Sequence, residues 1–398
     1  MKKCTASKGT ARKKSAVKRE TFSSLSFLVF FLIFLYNNMQ VKRNGSKKRM
    51  RFIGSKTLLL DQIKQVVDDQ APKAKSFCDI FSGTAAVARY FKQWYQVSSN
   101  DLLYFSYVLQ RATVENDTIP LFTLLNERLG IEDPVEYLNG REKKDLEELP
   151  KERRFFQNTY APTGERMYLN DENALRIDFA RCSVEDWKAA GLLNDHEYYY
   201  LVACIVEGIP FVSNTSGTYG AFHKTWERRS YKRYELYRLS VTSNGKSNRS
   251  YNKNGVELLK EIQGDILYID PPYNARQYNS NYHVLETAAR YDYPDVKGVT
   301  GQRAMEGQKS EFCMKNKVLP AFKDLLANAN FSHIILSYST DGLMTVEEIE
   351  EAMKAYGKPE TFKIYEIPYR RYKSRKVKET ERLKELLFYI EKQVPPCT

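Results

Sequence analysis

The sequence predicts an α/β fold interrupted by a large insertion, and three observations carry that prediction. From position 50 onward, segments of helical periodicity alternate with short apolar runs that read as strands. Two of those runs end in turn-forming loops, Ser82-Gly83-Thr84 and Asp270-Pro271-Pro272-Tyr273. Between the two loops, residues 111–206 break the alternation.

Leu58 to Val67 has the apolar spacing of an amphipathic helix. Ser76 to Phe81 reads as a strand, closed by Ser82-Gly83-Thr84 and followed by an alanine-rich helix from Ala85 to Gln93. A second strand, Tyr95 to Ser99, ends on Asn100-Asp101 and leads into a helix. The 111–206 stretch holds a charged run (Arg141 to Arg154), a loop around Tyr160-Ala161-Pro162, and helices near Val184 to Ala190 and Glu197 to Val206. The alternation returns with a helix at Val256 to Ile262, strands at Asp265 to Ile269 and Ile334 to Ser339, and a helix at Val346 to Tyr356. Two extended segments, Thr361 to Pro368 and Leu386 to Ile390, are expected to pair as an antiparallel hairpin at a sheet edge. The expected organisation is a leader (1–49), a first half of the α/β domain (50–110), an insertion (111–206), a basic and aromatic region (207–254) and a second half (255–398).

Net charge is +13, but residues 1–49 hold 13 Lys and Arg against one acid, Glu20. The remaining 349 residues carry 49 bases and 48 acids and are close to neutral, so any polyanion must be held by local patches. Phe22 to Tyr36 is a 15-residue apolar run interrupted by three serines, short of the ~20 residues that span a bilayer. The leader has the layout of a signal peptide without a small-x-small cleavage site. It reads as a membrane anchor or, preferentially, as sequence upstream of a start at Met39 or Met50. The six cysteines show no metal-ligand spacing, so buried reduced thiols and no metal site are expected.

Asp270-Pro271-Pro272-Tyr273 follows the strand Asp265 to Ile269, at the strand end where open α/β sheets bind ligands. Two prolines remove two backbone donors and leave carbonyls that only accept hydrogen bonds. An amino group conjugated to a purine ring needs acceptors on its N–H bonds to turn its lone pair outward. Asp270 offers a carboxylate, Pro271 a carbonyl, and Tyr273 a face on which a displaced base can stack. Taken alone, the same tetrapeptide also makes an ordinary turn.

With its companions, the tetrapeptide resembles the Dam-like, alpha-group N6-adenine DNA methyltransferases of the restriction-modification type II branch. Arg51-Phe52-Ile53-Gly54-Ser55-Lys56 is similar to the family's N-terminal cofactor motif, and Asp79-Ile80-Phe81-Ser82-Gly83-Thr84 to its glycine loop, with Ala85 where a second glycine often stands. Asn214 to Phe222 resembles the Asn- and Gly-rich segment, and Asn274 to His283 continues the match. The likeness covers most of 50–392 and is weakest over 111–170. It implies a Rossmann-like methyltransferase fold with a mixed seven-stranded sheet, an inserted target-recognition region and S-adenosylmethionine as cofactor.

The resemblance implies Asp270, Pro271, Pro272 and Tyr273 as catalytic. Phe52, Gly54, Lys56, Asp79, Phe81, Ser82, Gly83, Thr84, Asp101 and Asn254 are then the cofactor residues. Asp101 suits ribose hydroxyls, or a helix N-cap. Lys56 suits the methionine carboxylate, or is a solvated helix lysine. Asn254 stands where the family commonly has an acid facing the cofactor's adenine, so its role departs from the pattern. Gly83 lets backbone approach a cofactor, or simply makes the strand-to-helix turn.

Charge narrows the DNA surface. Residues 111–206 hold 19 acids and 12 bases, whereas 221–250 hold eight bases and two acids interleaved with Trp226, Tyr231, Tyr234 and Tyr237. Tyr219, Lys224, Arg228, Arg229, Arg233, Arg276 and Tyr278 are the expected DNA residues, and Arg370 to Lys378 a second patch. The implied partners are double-stranded DNA and a cognate restriction endonuclease, with the enzyme monomeric, cytoplasmic and away from the membrane. Competing readings are an RNA methyltransferase and a catalytically silent, membrane-tethered DNA-binding protein.

Overall fold

The computed structural model describes residues 52, 54–304, 307–368 and 384–393. The leader and the Arg370 to Lys378 patch lie outside the described residues. Helix α1 (Leu60–Gln70) buries Leu60, Ile63, Val66 and Val67 on one stripe. Strand β1 (Ser76–Asp79) then leads through the Ser82–Thr84 turn into α2 (Ala86–Phe91), and β2 (Gln96–Asn100) into α3 (Tyr104–Gln110). Short helical turns fill 111–164 before two longer helices, α4 (Asp171–Ala189) and α5 (Asp195–Gly208). Strand β3 (Arg249–Tyr251), α6 (Gly255–Leu259), β4 (Gln263–Ile269) and α7 (Tyr278–Arg290) follow. A two-residue ribbon, β5 (Val296–Lys297) with β6 (Gln302–Arg303), precedes α8 (Val318–Asn328), β7 (Asn330–Ser339), α9 (Val346–Tyr356), β8 (Lys363–Pro368) and β9 (Lys384–Glu391).

The main sheet has seven strands in the order β3-β2-β1-β4-β7-β9-β8. The first five are parallel, while β9 runs antiparallel between β7 and β8. This is the mixed seven-stranded, Rossmann-like architecture the resemblance implies. The expected hairpin forms, with its second strand inserted beside β7. Helices cover both faces, as a mainly parallel sheet requires. Leu267, Ile269, Ile334 and Leu336 pack with α8 and α9 on one side, and Ile266, Tyr268 and Ile335 with α1 and α2 on the other.

The 111–206 region does not stand apart from this body. Residues of α4 and α5 share one continuous hydrophobic cluster with Phe105 and Val108 of α3 and Val284 and Leu285 of α7. Several elements, the β5–β6 ribbon among them, fall outside the sequence expectations. The three-residue strand β3 has no apolar run to mark it, α7 begins in the loop after Tyr273, and α8 was not foreseen. Four cysteines, Cys78, Cys182, Cys204 and Cys313, are buried and unpaired.

Candidate active site

Five parallel strands place their carboxyl ends along one edge, and β1, β2 and β4 deliver three short acidic loops there. Asp79 ends β1, Asp101 follows β2, and Asp270 follows β4. The edge opens into a cleft of about 1130 Å³, mouth included. Its walls include Phe52, Gly54, Lys56, Asp79, Phe81, Ser82, Gly83, Thr84, Asp101, Asn254, Asp270, Pro271, Pro272, Tyr273 and Tyr278. Four segments far apart in sequence thus meet at one opening.

The turn after β1 is built for close approach. Gly83 has φ +52°, and an added Cβ would lie 3.0 Å from the Phe52 ring. Asp101 closes the loop: Oδ2 accepts from Gly83 N–H and Oδ1 from Leu103 N–H, both at 2.8 Å. Burial pushes Asp101 up to about 6, and those two amides oppose the rise. Phe52 stacks on Tyr282 of α7 with centroids 4.6 Å apart, which pins the N-terminal segment to the far wall. Phe81 packs edge-on against Phe312 at 5.0 Å.

Asp79 Oδ2 accepts from Ala88 N–H at 3.1 Å, while Oδ1 is buried without a hydrogen-bond partner among the described residues. Burial and then the neighbouring Asp270 push its carboxyl up to about 8. Asp79 thus leaves, in the cleft wall, a buried carboxylate oxygen with acceptor capacity.

Lys56 departs from its expected role. The turn before α1 directs its ammonium under the Asp270 loop, 3.0 Å from Asp270 Oδ1 and 2.7 Å from Glu385 Oε1. It is 4% exposed and already has two carboxylate partners, so this structure gives it no cofactor-facing charge to spare. Burial alone would lower its pKa, but Asp270 and Glu385 outweigh that and hold it above the usual lysine value. Burial pushes Asp270 up to about 7, against Lys56 and with Glu385. Tyr273 packs edge-on against Tyr338 with centroids 6.3 Å apart, and its carbonyl accepts from Leu343 N–H at 3.1 Å.

Asn254 lines the cleft and also caps α6, its side-chain oxygen accepting from Val256 N–H at 2.9 Å. Tyr219, expected at the DNA surface, is 2% exposed. Its hydroxyl lies 3.1 Å from Ser213 Oγ, and its carbonyl accepts from Tyr168 at 2.7 Å and sits 2.9 Å from His283 Nε2. It is a packing residue, because the Asn- and Gly-rich segment folds inward against α7. Arg233 turns toward the inserted region, donating to the carbonyl oxygen of Arg141 at 3.0 Å and lying 3.7 Å from Glu142. Arg238 pairs with Asp133 and Glu136. Lys224, Arg228, Lys232 and Arg276 are exposed, and Arg229 is half-buried.

The family model for the D12 class N6 adenine-specific DNA methyltransferases matches residues 52–353. The chain belongs to that family. It is 47% identical over 348 residues to the type II methyltransferase M.FokI of Planomicrobium okeanokoites, covering 87% of this chain and 53% of that protein. To the modification methylase StsI of Streptococcus sanguinis it is 44% identical over 345 residues, covering 86% and 52%. To the type II methyltransferase M.NlaIII of Neisseria lactamica it is 37% identical over 333 residues, covering 82% and 93%. The chain therefore spans about half the length of the first two relatives and nearly all of the third.

The D12 family match ends at 353 and so leaves out β9, which supplies Glu385. Sequence reasoning missed Glu385, although a signal was present. In the strand Lys-Glu-Leu-Leu-Phe-Tyr-Ile it shares a face with Leu387 and Tyr389, where an exposed glutamate is not expected. Gln277 was also missed. Its amide holds Ser310 through both backbone groups, at 3.0 and 2.9 Å, and so ties the 308–312 wall to the start of α7.

Proposed function

We propose that this chain transfers the methyl group of S-adenosylmethionine to the exocyclic N6 amino group of adenine in double-stranded DNA, with the base turned out of the duplex. The observation that carries the reading is Asp270-Pro271-Pro272-Tyr273 at the end of β4, opening into the same cleft as the Gly83–Asp101 cradle. Asp270 and the Pro271 carbonyl act as acceptors for the two amino hydrogens, which turns the nitrogen lone pair out of conjugation. Tyr273 supplies an aromatic face for the displaced base.

The cleft suits the cofactor. The unpartnered oxygen of Asp79 matches the amino group of its methionine part, and the Asp101 carboxylate retains lone pairs for ribose hydroxyls. Phe52 and Phe81 give apolar walls, and Gly54, Ser82, Gly83 and Thr84 line it at close range. When bound, S-adenosylmethionine supplies a methyl group activated by a positive sulfur. The protein's part is positioning and exclusion of water, with Asp270 ionised to accept.

Lys224, Arg228, Arg229 and Lys232 serve phosphates on the duplex, and Arg276 and Tyr278 sit beside the base-entry loop. The named relatives are type II methyltransferases and modification methylases, which supports a restriction-modification role with a cognate endonuclease reading the same DNA sequence. The setting is the cytoplasm, where DNA and cofactor meet.

The test is direct. The purified chain is incubated with methyl-labelled S-adenosylmethionine and unmethylated DNA, and digested nucleosides are analysed by mass spectrometry. N6-methyladenine that disappears in Asp270→Ala is the expected result. Label on RNA but not DNA, or on cytosine, overturns the substrate assignment.

A further inference from the structure

Among the described residues, those beneath the Asp270 loop bury more acid than base. Lys56 is the cation there, and it faces both Asp270 and Glu385, with side chains 4%, 15% and 7% exposed. A neutral Lys56–Asp270 pair would need no third charge, and burying an additional carboxylate costs free energy unless something holds it. Something does. Ser337 of β7 donates its hydroxyl to Glu385 Oε1 at 2.8 Å, the oxygen that also meets Lys56 at 2.7 Å. Strand β9 places Glu385 opposite Ser339 of β7, so its backbone is fixed by the sheet.

We infer that Glu385 is a positioning residue for Asp270 and acts through Lys56, holding the ammonium on Oδ1 so that Oδ2 receives the substrate amine. The inference rests on the methyl-transfer reading above. An ammonium has three donors and, with one carboxylate in reach, would spread across both of its oxygens. A second carboxylate, 2.7 Å from the ammonium, draws it off centre and takes up part of its charge. Asp270 then remains a strong acceptor, which a lysine shared with no other group would weaken. The groups that bear on Asp270 are Lys56 before α1, Asp79 from β1, Tyr268 from β4, Tyr278 from α7 and Glu385 from β9, and Tyr273 of its own loop lies 5.6 Å from the Lys56 ammonium.

The experiment compares the full chain with Glu385→Gln, Glu385→Asp and Ser337→Ala. Glu385→Gln keeps the shape and removes the charge. Its kcat is expected to fall on the order of tenfold or more, with the KM for DNA and the cofactor Kd within about twofold of the parent. Glu385 raises the Asp270 pKa, so the acid limb of the kcat–pH profile is expected to move to lower pH in this variant. Glu385→Asp keeps the charge and is expected to recover part of kcat and the original limb. A folded Glu385→Gln with unchanged kcat, or with reduced kcat and an unmoved acid limb, overturns the inference. If Glu385→Gln does not fold, Ser337→Ala decides. A fall in kcat of about threefold at constant KM supports the inference, and parental kcat rejects it. A parent that methylates no DNA removes the functional reading and this inference together, whereas an active parent with indifferent variants removes the inference alone.

Discussion

The sheet edge and the basic stretch 224–238 use charge in opposite ways. At the edge, Lys56, Asp79, Asp270 and Glu385 are enclosed, and the ionisation of Lys56, Asp79 and Asp270 is set by charged neighbours within this group. In the basic stretch the charges are exposed or tied outward, Arg233 and Arg238 to the acidic inserted region and Lys224, Arg228 and Lys232 toward solvent. Enclosed charges interact strongly and have no substitutes. Exposed ones are screened by salt and share their work. Single substitutions are therefore expected to have large effects at the edge and small ones in the stretch.

The severest break is Asp270→Ala, expected to lower single-turnover methyl transfer on the order of a thousandfold while cofactor binding by calorimetry persists. Parental rates in this variant would mean the two regions do not divide chemistry from binding at all. Next comes Gly83→Val. Its positive φ alone costs about 1–2 kcal/mol for a non-glycine residue, and the new side chain meets Phe52. Cofactor affinity should fall about tenfold or more, read by titration calorimetry.

A third expectation concerns pH. On the proposed reading Asp270 works as the ionised, stronger acceptor, and its pKa is raised to about 7, so kcat is expected to rise through neutrality and to be lost as pH falls. At one unit below that pKa the rate should be about a tenth of its plateau, and a profile flat from pH 5 to 8 would sink this assignment. The mildest effects separate the two kinds of arginine in the basic stretch. Arg228→Ala should weaken DNA binding a few-fold and reduce the salt slope by about one, with an unchanged melting temperature. Arg238→Ala should lower stability by about 1–3 kcal/mol in denaturant titration and leave the salt slope alone. Exchanged outcomes would move the DNA surface.

Much of the edge was legible because its motifs are local. A strand, a glycine turn and an acid at a strand end are each written within six residues, and their chemistry follows from residue type. The order of the sheet was less legible. Strand β3 reads Arg-Ser-Tyr and declares itself only by pairing with β2, and nothing local says that β9 enters between β7 and β8. Partners far apart in sequence were the main loss. Lys56 finds Glu385, Asn254 caps its own helix, and Tyr219 is held inward where its carbonyl accepts from Tyr168 and meets His283. Charge counting located the basic stretch but did not separate Lys224 from Arg238, since pairing with Asp133 depends on how the inserted region folds back.

Strand β9 bears on how the fold is assembled during synthesis. It lies inside the sheet, and its glutamate meets a lysine 329 residues earlier in the chain. At ribosomal rates of roughly 5–20 residues per second, the segment carrying Lys56 emerges tens of seconds before its partner exists. Until then the growing polypeptide has an open sheet border along β7, and Lys56 has Asp270 without Glu385. Nascent chains should thus lack a closed sheet until synthesis has passed position 391.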